Sequence, residues 1–150
     1  ANIIGMIIVF VALVYLVDAM LGLLPAGGEP LTLVGLFGHI LMPLAWLLGI
    51  PWHEAQVAGE LRATKVFIKE LVAYLQLVEL DTDVLGQQSR LILIYALCGF
   101  ANFGSLGIML GGMTALCPER SADILRLAPR AIWSGLLATC MTGCVVGLIL

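Results

Sequence analysis

The chain has 150 residues, of which 61% are hydrophobic and only 11% are charged, with a formal net charge of -3. Ordinary soluble domains carry about 25% charged residues, so a soluble fold of this size is excluded and the lipid bilayer is the natural solvent. The small charge, without a basic cluster, also excludes nucleic acid as a partner. The composition predicts part of a multi-pass membrane protein.

The first apolar segment covers about residues 3–24 and ends in the sequence LPAGG at 24–28. At a rise of ~1.5 Å per residue it is long enough to span a hydrocarbon core of ~30 Å. Its one charged residue, Asp18, either sits near the membrane interface or lines a cavity. The chain starts with Ala1 rather than Met, without the features of a cleavable signal peptide, which suggests a fragment of a longer protein.

The second apolar segment, about residues 31–50, contains Pro43. Proline removes a backbone donor, so we expect it to break or kink a helix here. The segment therefore either spans the membrane or lies in the interface as two shorter pieces. Trp46 and Trp52 flank its end, as aromatic residues often do at headgroup depth.

Residues 51–80 mix charged and apolar residues, and the position of interest is Glu70. A carboxylate at membrane depth is costly unless it has a partner or faces a watery cavity, so Glu70 is a candidate site residue. The alternative is that Glu70 is solvated or ion-paired in an interfacial helix. On a helix it shares a face with Tyr74, four residues on. One regular helix would align four other polar residues on one stripe: Arg62, Lys65, Lys69 and Gln76.

The third apolar segment, about residues 91–116, is almost uncharged but contains Asn102. Ser105, three residues on, shares its helix face, and together the two side chains offer donors and acceptors suited to ligand hydroxyls. Five glycines in the segment permit a broken helix of the kind that transporters use at midplane sites. The alternative is that the two polar side chains only join neighbouring helices.

Charge in the loops predicts the orientation in the membrane. Residues 118–130 carry three arginines against two acids, whereas residues 79–90 carry three acids and one base. The positive-inside rule places the first loop in the cytoplasm and the second outside. The last apolar segment, residues 131–150, then brings the C-terminus to the outer face.

Nothing in the sequence predicts an enzyme or a metal site. The sequence HEAQV at 53–57 begins like a zincin motif but has Val57 where the second histidine is required. The cysteines offer too few ligands for zinc and are expected to be small buried hydrophobic residues, without disulfides. They are Cys98, Cys117, Cys140 and Cys144.

Five motifs occur in an order that resembles the C-terminal half of the concentrative nucleoside transporters. They are PLAWLLGIPW at 43–52, TK at 64–65, ELVAY at 70–74, YALCGFANFGSLGI at 95–108 and PER at 118–120. The resemblance covers roughly residues 30–150. It implies an all-α membrane protein with transmembrane helices, a re-entrant helical hairpin and an unwound helix.

The resemblance also implies a function and a site. Family members are cation-coupled symporters, driven by sodium or protons, that import nucleosides as homotrimers in the plasma membrane, the inner membrane in bacteria. Glu70, Asn102 and Ser105 are then expected to hold the ribose, with Phe100 packed near the ligand. The ligands of the coupling cation are expected outside this chain, and no other cofactor is expected.

Four regions follow from the same resemblance: a scaffold helix at 1–28, an interfacial region at 29–58, the re-entrant hairpin at 59–90, and the broken and last transmembrane helices at 91–150. The chain departs from the family pattern at Lys69, where Asn is common, and at Gly104, where Ser is frequent. Residues 60–80 also contain neither Gly nor Pro to mark the hairpin tip.

Two other classes of function remain open at this point. The chain could be a structural or assembly subunit whose polar residues only join helices, or part of a channel. A structural role for Asn102 predicts that its loss lowers stability without changing ligand affinity, whereas a channel lacks saturable, gradient-driven accumulation.

Overall fold

The computed structural model describes residues 2–23, 31–81 and 83–150, and within these ranges the fold is entirely helical. The end of the first segment predicted at 24–28 lies outside the described residues. Among the described residues, Pro118–Ile149 is the one stretch that is long and apolar enough to cross a membrane as a single helix. The helices are α1 Asn2–Leu21, α2 Leu33–Leu47, α3 Trp52–Phe67, α4 Glu70–Glu79, α5 Gln87–Leu97, α6 Phe103–Leu116 and α7 Ser121–Ile149.

Asp18 joins α1 to the start of α2. Its Oδ1 accepts a hydrogen bond from the backbone N–H of Leu33 at 2.6 Å, and Thr32 Oγ1 accepts one from Gly35 N–H at 3.0 Å. The first N–H groups of a helix have no partner within the helix, and a negative charge is favourable there. Asp18 therefore acts as a cap for α2.

Pro43 does not break α2, contrary to one of the outcomes expected from the sequence. The helix includes Pro43 without interruption. Its whole length is 15 residues, or ~22 Å, which is shorter than the ~30 Å of a hydrocarbon core. Leu41 and Ala45, on either side of the proline, are buried against other helices. Tertiary packing thus compensates for the one backbone hydrogen bond that Pro43 removes.

Two glycines allow α2 and α3 to cross in direct backbone contact. A Cβ added at Gly59 would lie 2.3 Å from the carbonyl oxygen of Gly38, and one added at Gly38 would lie 2.6 Å from Glu60 Cγ. Small residues of this kind let membrane helices pack closely.

We expect Gly59→Ala to destabilise the protein, because the added methyl group meets a backbone oxygen that cannot rotate away. Overpacking of this kind typically costs about 1–3 kcal/mol. The measurement is the melting temperature of the detergent-solubilised protein. Gly112→Ala is the matched control, since a Cβ there meets no atom within 4 Å; equal melting temperatures for the two variants would contradict the prediction.

Helices α3 and α4 form the re-entrant hairpin, confirming that element of the predicted fold. Their 16 and 10 residues correspond to ~24 and ~15 Å, so neither helix spans a bilayer. Leu61 of α3 packs in one core with Ala73 and Leu77 of α4. Because α3 already begins at Trp52, the boundary predicted between residues 58 and 59 falls inside this helix.

The core of the molecule lies where the hairpin packs against α5 and α7. Four apolar residues of α5 and Cys140 of α7 belong to the same core cluster as the hairpin residues. The four residues of α5 are Ile92, Leu93, Ala96 and Leu97. Cys140 is buried as predicted, but the same expectation is wrong for Cys98 and Cys117, which are exposed. These two cysteines directly follow the last residues of α5 and α6, and Cys144 is half-buried.

Candidate functional site

The third apolar segment is two helices, α5 and α6, separated by the irregular residues 98–102, as the predicted unwound helix requires. Gly99 lies within this break with φ +154°, a conformation that favours glycine. A Cβ at Gly99 would also lie 2.5 Å from Thr139 Cγ2 of α7. Both the backbone conformation and the packing against α7 therefore require glycine here. The predicted boundary between residues 90 and 91 falls inside α5.

Side chains of the hairpin replace the hydrogen bonds that α5 loses where it ends. The hydroxyl of Tyr74 donates to the carbonyl oxygen of Ile94 at 2.7 Å, and Lys65 Nζ donates to that of Ala96 at 3.3 Å. Carbonyl groups in the last turn of a helix lack partners within the helix, and leaving them unpaired in the membrane is costly. Side chains of the hairpin thus stabilise the break between α5 and α6.

Glu70 is held against the break. It is the first residue of α4, where the helix dipole favours a negative charge. Its Oε1 accepts a hydrogen bond from Gly99 N–H at 3.4 Å. The preceding residue, Lys69, has an extended backbone and an exposed side chain, so it turns the chain between α3 and α4 without Gly or Pro.

Asn102 starts α6. Its Oδ1 accepts the backbone N–H of Ser105 at 2.7 Å, and the residue is 6% exposed. This is the geometry of a helix N-cap, a role for which asparagine is among the preferred residues. The carboxamide oxygen therefore has a structural task, whereas the described residues provide no hydrogen-bond acceptor for its NH2 group.

All four predicted site residues, Glu70, Phe100, Asn102 and Ser105, line one cavity of about 430 Å³. This volume lies within the range of about 300–1,000 Å³ typical of small-molecule sites. Tyr74 lines the same cavity, in agreement with the helix face that it was predicted to share with Glu70. The other lining residues are Lys69, Leu71, Gly104 and Ile108.

The polar stripe that one regular helix would have produced does not form, because residues 68 and 69 separate α3 from α4. Arg62 and Lys65 are fully buried, whereas Lys69 is exposed at the tip of the hairpin. Arg62 Nη2 lies 2.7 Å from Cys140 Sγ, and its Nε and Nη1 have no hydrogen-bond partner among the described residues. The sequence contains one indication that these two basic residues are special: only 11% of its residues are charged, so each charged residue in an apolar region is unusual.

Glu54, which lies in the incomplete zincin-like sequence at 53–57, is a structural residue. Its Oε2 accepts the backbone N–H of Gly86 at 3.2 Å, and its Oε1 lies 3.4 Å from His53 Nε2. The carboxylate thus ties the loop before α5 to the start of α3. Among residues 2–23, 31–81 and 83–150, no group of three or more His, Cys, Asp or Glu residues is placed to hold a metal ion.

Comparison with known proteins identifies the family. The family described as "Na+ dependent nucleoside transporter C-terminus" matches residues 1–147. The Bacillus subtilis "Uncharacterized transporter YutK" is 37% identical over 149 residues, which are 98% of this chain and 37% of that protein. The Rattus norvegicus "Sodium/nucleoside cotransporter 1" is 35% identical over 168 residues, covering 99% of this chain and 26% of that protein.

Solved structures of similar proteins show the same fold. A CNTnw variant in the intermediate 2 state has a TM-score of 0.90 and 36% identity, covering 99% of this chain and 38% of that one. CNTnw in an inward-facing substrate-bound state has a TM-score of 0.78 and 37% identity, covering 97% of this chain and 35% of that one.

The chain therefore spans between 26% and 38% of the length of the proteins to which these comparisons relate it. It is similar to their C-terminal portion, as the motifs predicted, and its relatives are membrane transporters rather than enzymes. The helical fold, the hairpin packed on a broken helix and the family match over 147 residues agree. The chain belongs to the family of Na+ dependent nucleoside transporter C-termini.

Proposed function

We propose that this chain is the C-terminal part of a cation-coupled symporter that imports nucleosides, and that it holds the ribose. The observation that carries the proposal is the shared cavity: Glu70 lies far from Asn102 and Ser105 in the sequence, yet all three line one space of about 430 Å³. Relatives named as a nucleoside permease in Helicobacter pylori and as sodium/nucleoside cotransporters in mammals support the substrate class.

Each of the three polar side chains has a polar group that makes no hydrogen bond among the described residues and can bind a ligand. Among the described residues, no hydrogen bond involves Glu70 Oε2, the NH2 group of Asn102 or Ser105 Oγ. A sugar with neighbouring hydroxyl groups presents both donors and acceptors. In the proposed complex the carboxylate accepts from two ribose hydroxyls, while the Asn102 amide and the Ser105 hydroxyl complete the hydrogen bonds.

Phe100 is the apolar member of the proposed site. Its side chain is 82% exposed in this chain although it lines the cavity. An aromatic ring in this position offers a flat apolar surface to a ligand, which suits the face of a sugar or a base. We propose that Phe100 packs on the bound nucleoside.

The rest of the proposal concerns the whole protein. The coupling cation is sodium or a proton, and its ligands are proposed to lie outside this chain. The full-length protein is proposed to be a homotrimer in the plasma membrane, or the inner membrane of a bacterium, with the C-terminus on the outer face. The three arginines of residues 118–130 support this orientation, because positive residues concentrate on the cytoplasmic side.

The test uses Asn102 in the full-length parent. Asn102→Ala removes both the helix cap and the NH2 group, whereas Asn102→Ser replaces the carboxamide by a shorter hydroxyl that is still a good cap but has no NH2 group. We expect both variants to lose uptake of radiolabelled uridine, and both to lose the rise in melting temperature that uridine causes. Only Asn102→Ala should also lower the melting temperature without uridine, by the ~1 kcal/mol of a lost cap.

A purely structural role of Asn102 predicts a different result for both variants. If Asn102 only joins or caps helices, Asn102→Ser retains uptake and the uridine-induced shift, and Asn102→Ala loses stability with unchanged affinity. That result would favour the structural subunit.

A further inference from the structure

A buried ammonium group lies at the C-terminal end of α5. Lys65 is fully buried, and its Nζ donates to the carbonyl oxygen of Ala96 at 3.3 Å and to Thr139 Oγ1 at 3.4 Å. The Thr139 hydroxyl itself donates to the carbonyl oxygen of Leu136 at 2.9 Å, so it presents a lone pair to the ammonium. Oxygen atoms from two helices therefore converge on one positive charge.

The surroundings are those of a monovalent cation site. Carbonyl oxygens at the C-terminal end of a broken helix, together with the partial negative charge of the helix dipole, are the groups that coordinate cations in membrane transporters. The Glu70 carboxylate, held by Gly99 N–H next to the same helix end, adds negative charge that acts on Lys65. Arg62 also acts on Lys65, and its positive charge repels a cation.

The site is complete within this chain. Because Lys65 is 0% exposed with only the described residues present, no segment from the remainder of the protein is needed to cover it. A buried charge without compensating groups is strongly unfavourable in a membrane, so the oxygens of Ala96 and Thr139 are a requirement for Lys65. Ala96 O in turn requires a hydrogen-bond donor, since it would otherwise be an unpaired carbonyl at the helix break, and the Lys65 ammonium is the donor within reach.

We propose that the break between α5 and α6 contains a monovalent cation site that the Lys65 ammonium occupies permanently, and that a primary alkylammonium ion binds there when the lysine side chain is removed. The tethered cation fixes the end of α5 and, through Gly99, the carboxylate of Glu70. The C-terminal half of the substrate site therefore needs no dissolved cation for its own geometry. The coupling cation acts elsewhere.

The deciding experiment measures melting temperatures of the full-length parent in detergent, with and without propylammonium chloride. Lys65→Ala removes the equivalent of a propylammonium group, so we expect a saturable rise in melting temperature for this variant and none for the native protein. Tetramethylammonium chloride controls for ionic strength and should have no effect, because it donates no N–H hydrogen bonds.

Two further variants separate charge from space. Lys65→Met fills most of the volume without a charge and should not respond to propylammonium. Ile92→Ala opens a cavity at a fully buried position inside the hydrophobic core cluster, so it should not respond either. An equal rise for Ile92→Ala and Lys65→Ala, or no rise for Lys65→Ala, would overturn the proposal. If Lys65→Ala cannot be purified alone, recovery in propylammonium chloride supports the proposal and failure there overturns it.

The thermal measurement contains no nucleoside, so its result is independent of the proposed substrate. A second measurement, of uridine uptake, rests on the proposed function. Uptake by Lys65→Ala should fall at least about tenfold, because the variant loses one partner of a buried, charged hydrogen bond. External propylammonium should restore part of it. Native uptake by Lys65→Met would show that no cation is needed at this position and would overturn the proposal.

Discussion

Replacing Glu70 by Gln in the full-length parent is expected to lower uridine uptake about a hundredfold or more. Hydrogen bonds to charged groups contribute about 1.5–3 kcal/mol each, and the proposed carboxylate accepts from two ribose hydroxyls. An amide keeps the size of the side chain but has one acceptor oxygen and loses the charge. The measurement is the initial rate of radiolabelled uridine uptake at several concentrations, which separates a raised KM from a lowered maximal rate.

The control for Glu70→Gln is Glu79→Gln, the same substitution at an exposed position at the other end of α4. It does not line the cavity and should keep native uptake. Inhibition by 2′,3′-dideoxyuridine adds a second control, because this analogue lacks the two hydroxyls. Its weak binding should be nearly the same in the native protein and in Glu70→Gln. A loss of affinity for uridine and for the analogue by the same factor would contradict contact with the ribose hydroxyls.

Gly99→Ala should also abolish most uptake, because it disturbs the break that holds Glu70. The added Cβ would lie 2.5 Å from Thr139 Cγ2, and φ +154° is a conformation that side-chain-bearing residues rarely adopt. A strained residue of this kind costs about 1–3 kcal/mol, and the clash adds to that cost. We expect a lower melting temperature together with a raised KM for uridine, since Gly99 N–H is the group that binds Glu70 Oε1.

A double variant separates the two causes. Thr139→Ser removes the clashing methyl group but keeps the hydroxyl that accepts from Lys65 Nζ. Gly99→Ala combined with Thr139→Ser should therefore recover part of the stability, and the remaining loss reports the backbone conformation. Gly112→Ala, where the new Cβ meets nothing within 4 Å, should behave like the native protein. Native stability and uptake for Gly99→Ala alone would show that the break tolerates a side chain.

Much of the fold was accessible from local chemistry. The low charge indicated a bilayer, the glycine-rich third segment indicated a broken helix, and the i, i+4 spacing of Glu70 and Tyr74 put them on one face. The structure confirms the break at residues 98–102 and the shared face. The hairpin is different, because its tip at residues 68 and 69 contains neither Gly nor Pro and only the resemblance to a family predicted it.

Contacts between helices determine the outcome at two positions where the sequence left alternatives. Pro43 was expected to break or kink α2; the helix is not broken, because packing of Leu41 and Ala45 outweighs one missing hydrogen bond. The same kind of long-range contact gave Asp18 its role as a cap for α2. Local propensity is a weak guide at these positions, since a partner from another helix determines the result.

The sequence by itself determined the solvent, the helical class and which polar residues stand in apolar surroundings, because each of these depends on composition or on neighbours three or four positions away. Only the tertiary structure decided that Glu70 shares a cavity with Asn102 and Ser105 and that Lys65 is buried against Ala96 and Thr139. These contacts join residues about 30 to 70 positions apart. Their geometry arises from helix packing, which no local pattern contains.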